Sequence, residues 1–296
     1  GAIQPRLLSN ALRTLPEGVV LVSGSAGKSS TTHTLVQLLE AHGKKVFTNP
    51  STANIKQGLV SAVLKEGDLF GRLNYDIAVL EVDEGHGSAL VGDLKPRLVV
   101  LTNVLSDQLD RFVDPDFVIE KLEVLAMSAN QVVLNAHDPN LRSMALQNVA
   151  GAVDLSTELK GSSEAPKYAL RFDSPPAIQD AWLVGGKKEL SLSTALGPVA
   201  LKDQNIPHAL NTALAITASA KLVDLDMSKT QLTIDSVSGV FARNELTSLD
   251  GIEVNLRLVQ NPTSFQLNVD ELGPSNSPLM FMAGSDIHDP SWLWTV

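Results

Sequence analysis

The chain has 296 residues, 44% of them hydrophobic, and this length indicates two domains with cores of their own. Its formal net charge of −10 comes from carboxylates spread along the chain, which argues against nucleic acid as a main partner, because phosphate binding needs clustered lysine and arginine. The chain has no cysteine, which excludes disulfides, thiolate metal sites and a cysteine nucleophile within it.

In chain order, apolar runs alternate with stretches of helical periodicity. Strands are predicted over residues 19–23, 45–48, 76–82, 97–102 and 131–135. Helices are predicted over residues 29–41, 55–64, 117–127 and 208–222. Between the last strand and the last helix, a polar loop (155–167) and a small antiparallel patch (168–201) are expected. This alternation predicts an α/β fold with a parallel, doubly wound sheet.

A second, smaller α/β unit is predicted after the last helix. We expect one domain over residues 1–230 and another over residues 231–296. The second is short for an independent domain, and we expect it to be incomplete at its C-terminal end. No apolar run approaches the roughly 20 residues that span a bilayer, and a chain without cysteine suits the cytoplasm, where we expect this protein.

The stretch VLVSGSAGKSSTT, residues 20–32, joins a predicted strand to a predicted helix through two glycines. Gly24 and Gly27 allow a tight turn, and the amides after Gly24, together with the helix N-terminus, suit an anion. Lys28 supplies a charge for β- and γ-phosphate, and Ser29 supplies a hydroxyl for Mg²⁺. This pattern predicts a phosphate site. The alternative is an ordinary strand–helix turn with a surface lysine.

Polar residues also follow the third and fourth predicted strands. Ligands of an open parallel sheet lie at the carboxyl ends of its strands. Glu81, Asp83 and Glu84 end the third strand, and Asn103 follows the fourth, with further acids within residues 107–110. A carboxylate at this edge holds Mg²⁺ beside phosphates, and Glu81, flanked by apolar residues, is the favoured one. For the other two acids, solvated loop positions are an equally good alternative.

Several motifs together resemble, in the same order, those of the Mur ligase superfamily. They are SGSAGKSSTT, LEVDE, TNVLSDQLDR, LNAHDP, IPHALNTALA, GVFARNE and QNPTSF. Three features narrow the resemblance to the MurT family: Gln108 in DQLDR, the NPTSF motif, and DIHDPSWLW at residues 286–294. Members of that family are the ligase-like subunits of lipid II isoglutaminyl synthase and work with a glutamine amidotransferase subunit of the GatD type.

The resemblance implies an ATP-dependent ligase that amidates the α-carboxylate of D-glutamate in the lipid II stem peptide. The carboxylate would be activated as an acyl phosphate. Ammonia that the GatD-type partner releases from glutamine would then displace the phosphate and leave D-isoglutamine, at the inner face of the membrane. ATP and Mg²⁺ are the expected cofactors. Zinc is not expected, because the four-cysteine insertion that many relatives carry is absent.

The resemblance also assigns roles to residues of this chain. The expected nucleotide-binding residues are Gly24, Gly27, Lys28, Ser29, Ser30, Asn211 (at the adenine) and Arg243 (from the second domain). The expected catalytic residues are Lys28, Glu81 and Asp289, and the expected Mg²⁺ ligands are Ser29 and Glu81. Asp289 would orient the catalytic histidine of the partner, with Asp286 as the second choice. The plainer alternatives are a polar helix face for Asn211, a surface ion pair for Arg243 and a turn for Asp289.

The sequence departs from the family pattern at four places. Ser106 and Gln260 stand where an arginine and a lysine are usual, and Thr52 and Ala242 replace glycines. Three other functions stay open, and the loss of these two positive charges bears on the second of them, the scaffold. One is a free-standing ligase that joins an amino acid. Another is a nucleotide-binding scaffold subunit, and a third is an unrelated ATPase that uses water.

Overall fold

The chain divides into two compact units. The first comprises Gly1–Ser106 and Asp114–Val237, and the second comprises Asp107–Val113 and Ser238–Val296. Within them, the computed structural model describes residues 7–50, 54–68, 71–85, 87, 94–104, 115–156, 159, 181–186, 189–202, 204–237, 243–257, 269 and 278–280.

The described part of the first unit forms a nine-stranded sheet. Its strands are β1 (Val19–Ser23), β2 (Val46–Thr48), β3 (Ile77–Glu81), β4 (Leu98–Leu101), β5 (Gln131–Asn135), β6 (Val149–Leu155), β7 (Ala181–Gly186), β8 (Glu189–Thr194) and β9 (Gly197–Lys202). Their order across the sheet is β2-β3-β1-β4-β5-β6-β7-β8-β9. Every pair from β2 to β7 is parallel, and β8 and β9 are antiparallel to their neighbours. The predicted α/β class with a mostly parallel central sheet is therefore confirmed.

Helices connect and cover these strands. They are α1 (Leu7–Arg13), α2 (Lys28–Ala41), α3 (Lys56–Glu66), α4 (Pro115–Met127), α5 (Pro139–Arg142), α6 (Ile206–Ala220) and α7 (Met227–Ser236). Helices α2 and α6 pack against each other and share one apolar core with the central strands. Strands β1 and β4 are buried along their whole length, as continuous β-branched and leucine runs in a parallel sheet require. None of the described helices is long and apolar enough to cross a membrane.

Most of the predicted elements lie within about two residues of the observed ones. The antiparallel patch differs from its prediction, because β7 pairs in parallel with β6 and so joins the central sheet. Strand β6 and helices α1, α5 and α7 were not predicted. The predicted loop over residues 155–167 lies largely outside the described residues.

The described part of the second unit contains an antiparallel hairpin, β10 (Arg243–Leu249) and β11 (Ile252–Arg257). Its two-residue turn, Asp250–Gly251, has positive φ at both positions, 52° and 82°. Two positive φ values are what a type I′ turn needs, and the sequence Asp-Gly is typical of it. Most of the rest of the predicted second α/β domain lies outside the described residues, so its class and its boundary at residue 230 stay predictions.

Candidate functional site

The glycine turn, Gly24–Gly27, lies at the edge of the sheet where the strand order reverses. From β1 the chain continues to β2 and β3, which both lie on one side of β1. It then crosses to β4, which lies on the other side. All of these strands are parallel, so the residues that follow β1, β3 and β4 meet at one edge. A reversal point of this kind is where open α/β sheets bind their ligands.

Both glycines of the turn are required by backbone conformation and by their neighbours. Gly24 has φ 130° and Gly27 has φ 82°, where side chains other than glycine are strained. A Cβ at Gly24 would lie 2.8 Å from the carbonyl oxygen of Asn103 and 2.9 Å from its nitrogen. A Cβ at Gly27 would lie 2.7 Å from Cγ of Asn211, on helix α6. The turn is therefore packed directly between the end of β4 and helix α6.

Asn103 holds the glycine turn from the end of β4. Its Nδ2 donates to the carbonyl oxygen of Ala26 (3.1 Å), and its Oδ1 accepts from the nitrogen of Ala26 (2.8 Å). Its own carbonyl oxygen accepts from the nitrogen of Ser25 (2.9 Å). The sequence predicts that the amides after Gly24 bind an anion. That expectation is wrong for Ser25 and Ala26, whose N–H groups both donate to Asn103.

The N–H groups that remain for an anion are those at the start of α2. Gly27 is its N-cap and provides no side-chain hydrogen bond, and Thr31 is the first residue whose nitrogen bonds back, to the carbonyl oxygen of Gly27 (2.9 Å). The first N–H groups of a helix have no partner within it and carry the positive end of its dipole. Ser29 and Ser30 lie in this first turn, as the sequence predicts.

Replacing Asn103 by alanine should loosen the turn. Two side-chain hydrogen bonds to Ala26 are lost, and at roughly 1 kcal/mol each the free energy of unfolding should fall by about 2 kcal/mol. We expect the affinity for ADP to fall at least about tenfold as well, because the first turn of α2 follows directly. Urea unfolding and calorimetric titration with ADP measure the two effects.

Asn148→Ala is the matched control for that variant. Nδ2 of Asn148 also makes two hydrogen bonds, to the carbonyl oxygens of Ala126 and Ala129 (2.9 Å each). This control should lose a similar stability and keep its affinity for ADP. Equal losses of ADP affinity in both variants would contradict a specific role of Asn103 in shaping the site.

Lys28 is not the surface lysine that the plainer interpretation requires, since it is 9% exposed. Its Nζ donates to the carbonyl oxygens of Gly24 (2.6 Å) and Ser25 (3.2 Å) and to Oε2 of Glu84 (3.1 Å). Glu84 is itself 2% exposed, so the two charges form a buried ion pair. This rules out a solvated loop position for Glu84, whose pairing with Lys28 was not predicted from the sequence.

Glu81 lies at the end of β3 and is 4% exposed. The main chain there is held by Asn49, whose Oδ1 accepts from the nitrogen of Glu81 and whose Nδ2 donates to its carbonyl oxygen, both at 3.0 Å. Among the described residues, the Glu81 carboxylate has no hydrogen-bond or ion-pair partner. A buried carboxylate in that situation favours a cation as its partner.

Asp83 shapes the chain after β3. Its Oδ1 accepts from the nitrogen of Gly85 (3.0 Å), and its carbonyl oxygen accepts from the nitrogen of Gly87 (2.7 Å). This bend brings Glu84 towards Lys28. The described residues contain no group of three or more His, Asp or Glu side chains placed to hold a metal ion. Mg²⁺ usually takes only one or two carboxylates together with water and phosphate oxygens, which fits Glu81.

The structure places some of the predicted residues and not others. Asn211 lies against Gly27, so the Ala-rich helix α6 brings it to the turn. Arg243 begins β10 in the second unit, where its backbone alone is described. The other positions named from the sequence lie outside the described residues: Thr52, Ser106, Asp107, Gln108, Asp110, Ala242, Gln260, Asp286 and Asp289.

Asp138 is a residue that the sequence analysis did not single out. Its Oδ2 accepts from the nitrogen of Val104 (2.6 Å), after β4, and its Oδ1 accepts from the nitrogens of Asn140 (2.8 Å) and Leu141 (3.4 Å). Burial raises the pKa of Asp138, and these three N–H groups oppose the rise. The local signal was Asp followed by Pro139, an N-cap with proline at the first position of a helix.

Comparisons with known proteins agree with this geometry. Residues 22–170, half of the chain, match the family model of the Mur ligase middle domain. Over 143 residues the chain is 31% identical to "Lipid II isoglutaminyl synthase (glutamine-hydrolyzing) subunit MurT" of Staphylococcus aureus (strain N315), covering 47% of this chain and 32% of that protein. It is 25% identical over 316 residues to the subunit of the same name from Streptococcus pneumoniae (strain ATCC BAA-255 / R6), covering 93% of this chain and 70% of that one.

A solved structure with the same fold is the MurF ligase from Thermotoga maritima in complex with ADP. It superimposes with a TM-score of 0.66 at 20% identity and covers 90% of this chain and 59% of that chain. At that identity the likeness shows the fold alone. The matched part of the chain thus covers about a third of the staphylococcal relative's full length and just over half of this neighbour. With the family model matched over half of its residues, the chain belongs to the Mur ligase family.

Proposed function

We propose that the protein is the ligase subunit of a lipid II isoglutaminyl synthase. It would be an ATP-dependent carbon–nitrogen ligase that amidates the α-carboxylate of D-glutamate in the lipid II stem peptide. The observation that carries this proposal is the glycine turn with buried Lys28 and Glu81 at the reversal point of a Mur ligase sheet. Two relatives named as MurT subunits of that synthase support the choice of substrate.

The described residues fit a nucleotide with Mg²⁺. Gly24 and Gly27 keep side chains out of the turn, and the N–H groups at the start of α2 suit phosphate oxygens. Lys28 would neutralise charge on the β- and γ-phosphates, and Ser29 and Glu81 would hold Mg²⁺. When bound, the ion would offset charge on the phosphates during their transfer.

The other nucleotide contacts are proposals that rest on the family resemblance. Ser30 would add to the phosphate site. Asn211 would contact the adenine, and Arg243 would reach the nucleotide from a second domain over residues 231–296.

The chemistry needs no nucleophile from this chain. An oxygen of the substrate carboxylate attacks the γ-phosphorus, ADP leaves, and an acyl phosphate forms. The nitrogen of ammonia then attacks the carbonyl carbon, phosphate leaves with the C–O electron pair, and the amide remains after loss of a proton. The work of the protein is to position these groups and to neutralise charge.

Ammonia would come from a glutamine amidotransferase subunit of the GatD type, at the cytoplasmic face of the membrane. Asp289 would accept a hydrogen bond from the catalytic histidine of that partner, which fixes its tautomer and supports the imidazolium form. Asp289 lies outside the described residues, so this role rests on the DIHDPSWLW motif alone.

Mass spectrometry of lipid II tests the proposed function. The reaction contains ATP, Mg²⁺, a GatD-type subunit and either glutamine or ammonium. Replacement of one OH by NH₂ in each stem peptide is the expected result. Consumption of ATP without that product would indicate another acceptor, including an amino acid or water. No consumption of ATP would favour the scaffold alternative.

Asp289→Asn should separate the two nitrogen sources. We expect the variant to bind ATP normally and to amidate lipid II with ammonium, while glutamine-driven amidation falls by about 10²-fold or more, since the partner's histidine loses its orienting carboxylate. Asp286→Asn is the matched control and should retain glutamine use. Unchanged glutamine use by Asp289→Asn would show that the carboxylate does not serve the partner.

A further inference from the structure

We propose that Glu84 is a latch that holds Lys28 away from the phosphate site until a nucleotide arrives with a divalent cation. The proposal rests on the proposed nucleotide site and adds a positioning residue to it. Its basis is the set of contacts that Lys28 makes: the carbonyl oxygens of Gly24 and Ser25, and the carboxylate of Glu84.

An ammonium group has three N–H donors and no acceptor. The three contacts of Lys28, at 2.6, 3.2 and 3.1 Å, therefore use all of its hydrogen-bonding capacity. A phosphate oxygen cannot bind Lys28 unless one of these contacts is given up. When a nucleotide binds, Nζ of Lys28 must therefore exchange one of these three contacts for a contact with a phosphate oxygen.

The three partners are not equivalent when Lys28 leaves. The two carbonyl oxygens belong to the glycine turn and are neutral. The carboxylate of Glu84 is charged and 2% exposed, so water cannot readily replace the ammonium beside it. Removing one partner of a buried ion pair leaves an uncompensated charge, which is strongly unfavourable. The nucleotide's own negative charge adds to this penalty.

A divalent cation removes the penalty because it brings positive charge to the same edge of the sheet. Glu81, three residues before Glu84, already offers a buried carboxylate without a partner among the described residues. The latch therefore links the two ligands: free nucleotide binds weakly, and nucleotide with Mg²⁺ binds well. Without the Glu84 charge, the difference in affinity between nucleotide with Mg²⁺ and nucleotide alone should become smaller.

Calorimetric titration with ADP, with Mg²⁺ or with EDTA, tests the latch on wild type and Glu84→Gln. We expect Glu84→Gln to tighten ADP binding in EDTA by about tenfold. In Mg²⁺ the affinity of Glu84→Gln for ADP should be unchanged or weaker. The dissociation constant in EDTA divided by that in Mg²⁺ should therefore be smaller than in wild type. A merely structural role would weaken binding in both conditions by the same factor, which would overturn the proposal.

Asp83→Asn is the matched control for charge. This neighbouring carboxylate is also buried, but its Oδ1 accepts from the nitrogen of Gly85, and an asparagine oxygen can do the same. The control should change neither dissociation constant by more than about twofold. Equal tightening by Asp83→Asn and Glu84→Gln in EDTA would show that Glu84 only repels the anion.

Glu84→Asp is the second variant in case Glu84→Gln does not fold. It keeps the charge and is one methylene shorter, so it loosens the contact with Lys28. We expect it to tighten ADP binding in EDTA in the same direction by a smaller factor, whereas pure repulsion predicts no change. Failure of the wild type to bind ADP even with Mg²⁺ would overturn the proposed function and the latch together.

Discussion

Replacement of Lys28 by alanine is expected to abolish ATP-dependent amidation of lipid II, with a loss of at least about 10²-fold. In the proposed mechanism the Lys28 ammonium would neutralise charge on the phosphates, and transferring a phosphoryl group relies on such charges. The measurement is the rate of amidated lipid II formation with ammonium as the nitrogen source. With ammonium, the result does not depend on the partner's glutaminase.

The variant also removes one half of a buried ion pair, so stability has to be separated from function. Leaving Glu84 unpaired should lower the free energy of unfolding by about 3 kcal/mol or more. The double variant Lys28→Ala/Glu84→Gln removes both charges and should regain much of that stability without regaining activity. Recovery of activity in the double variant would mean that Lys28 serves the fold and not the chemistry.

Lys44→Ala is the matched lysine control. Its Nζ lies 2.5 Å from Oε1 of Glu17 in a partly exposed pair. Exposed and half-exposed pairs contribute about 0–1 kcal/mol, so stability should change little. Activity should stay at the wild-type level, because neither residue belongs to the glycine turn or to its partners.

The sequence predicted the sheet and the glycine turn because their signals are local. A continuous apolar run before Gly24 and a helical period after Lys28 are complete within residues 19–41. Strand β6 was missed because its sequence, VAGAVDL, mixes alanine and glycine into the apolar run. Helix α7 was missed because few of its ten residues are buried, Thr230 and Ile234 among them.

The contacts inside the site could not be read from the sequence. Asn103 binds Ala26 across 77 positions, Glu84 binds Lys28 across 56, and Asn49 binds Glu81 across 32. Which of these side chains meet depends on the order β2-β3-β1-β4, and periodicity does not specify a strand order. The sequence therefore identified the edge of the sheet that carries polar residues and favoured Glu81 for the cation, but it did not predict that Glu84 pairs with Lys28.

Gly24→Ala is expected to have the second large effect, because two independent constraints meet at this residue. Its φ of 130° lies in a region that is strained for any residue with a Cβ, and that Cβ would lie 2.8 Å and 2.9 Å from backbone atoms of Asn103. Asn103 cannot move away without breaking its hydrogen bonds to Ser25 and Ala26. We expect the free energy of unfolding to fall by about 3 kcal/mol or more, and ADP binding to be lost.

Gly43→Ala separates these two constraints. Gly43 follows helix α2 with φ 86°, and a Cβ there would meet no atom within 4 Å in the part of the chain that the structure describes. It should lose only the roughly 1–2 kcal/mol of a left-handed backbone and keep its affinity for ADP. Urea unfolding and ADP titration of both variants give the comparison. If Gly24→Ala and Gly43→Ala lost equal amounts of stability and of ADP affinity, backbone conformation alone would require glycine at residue 24. The close approach of β4 would then have no part in that requirement.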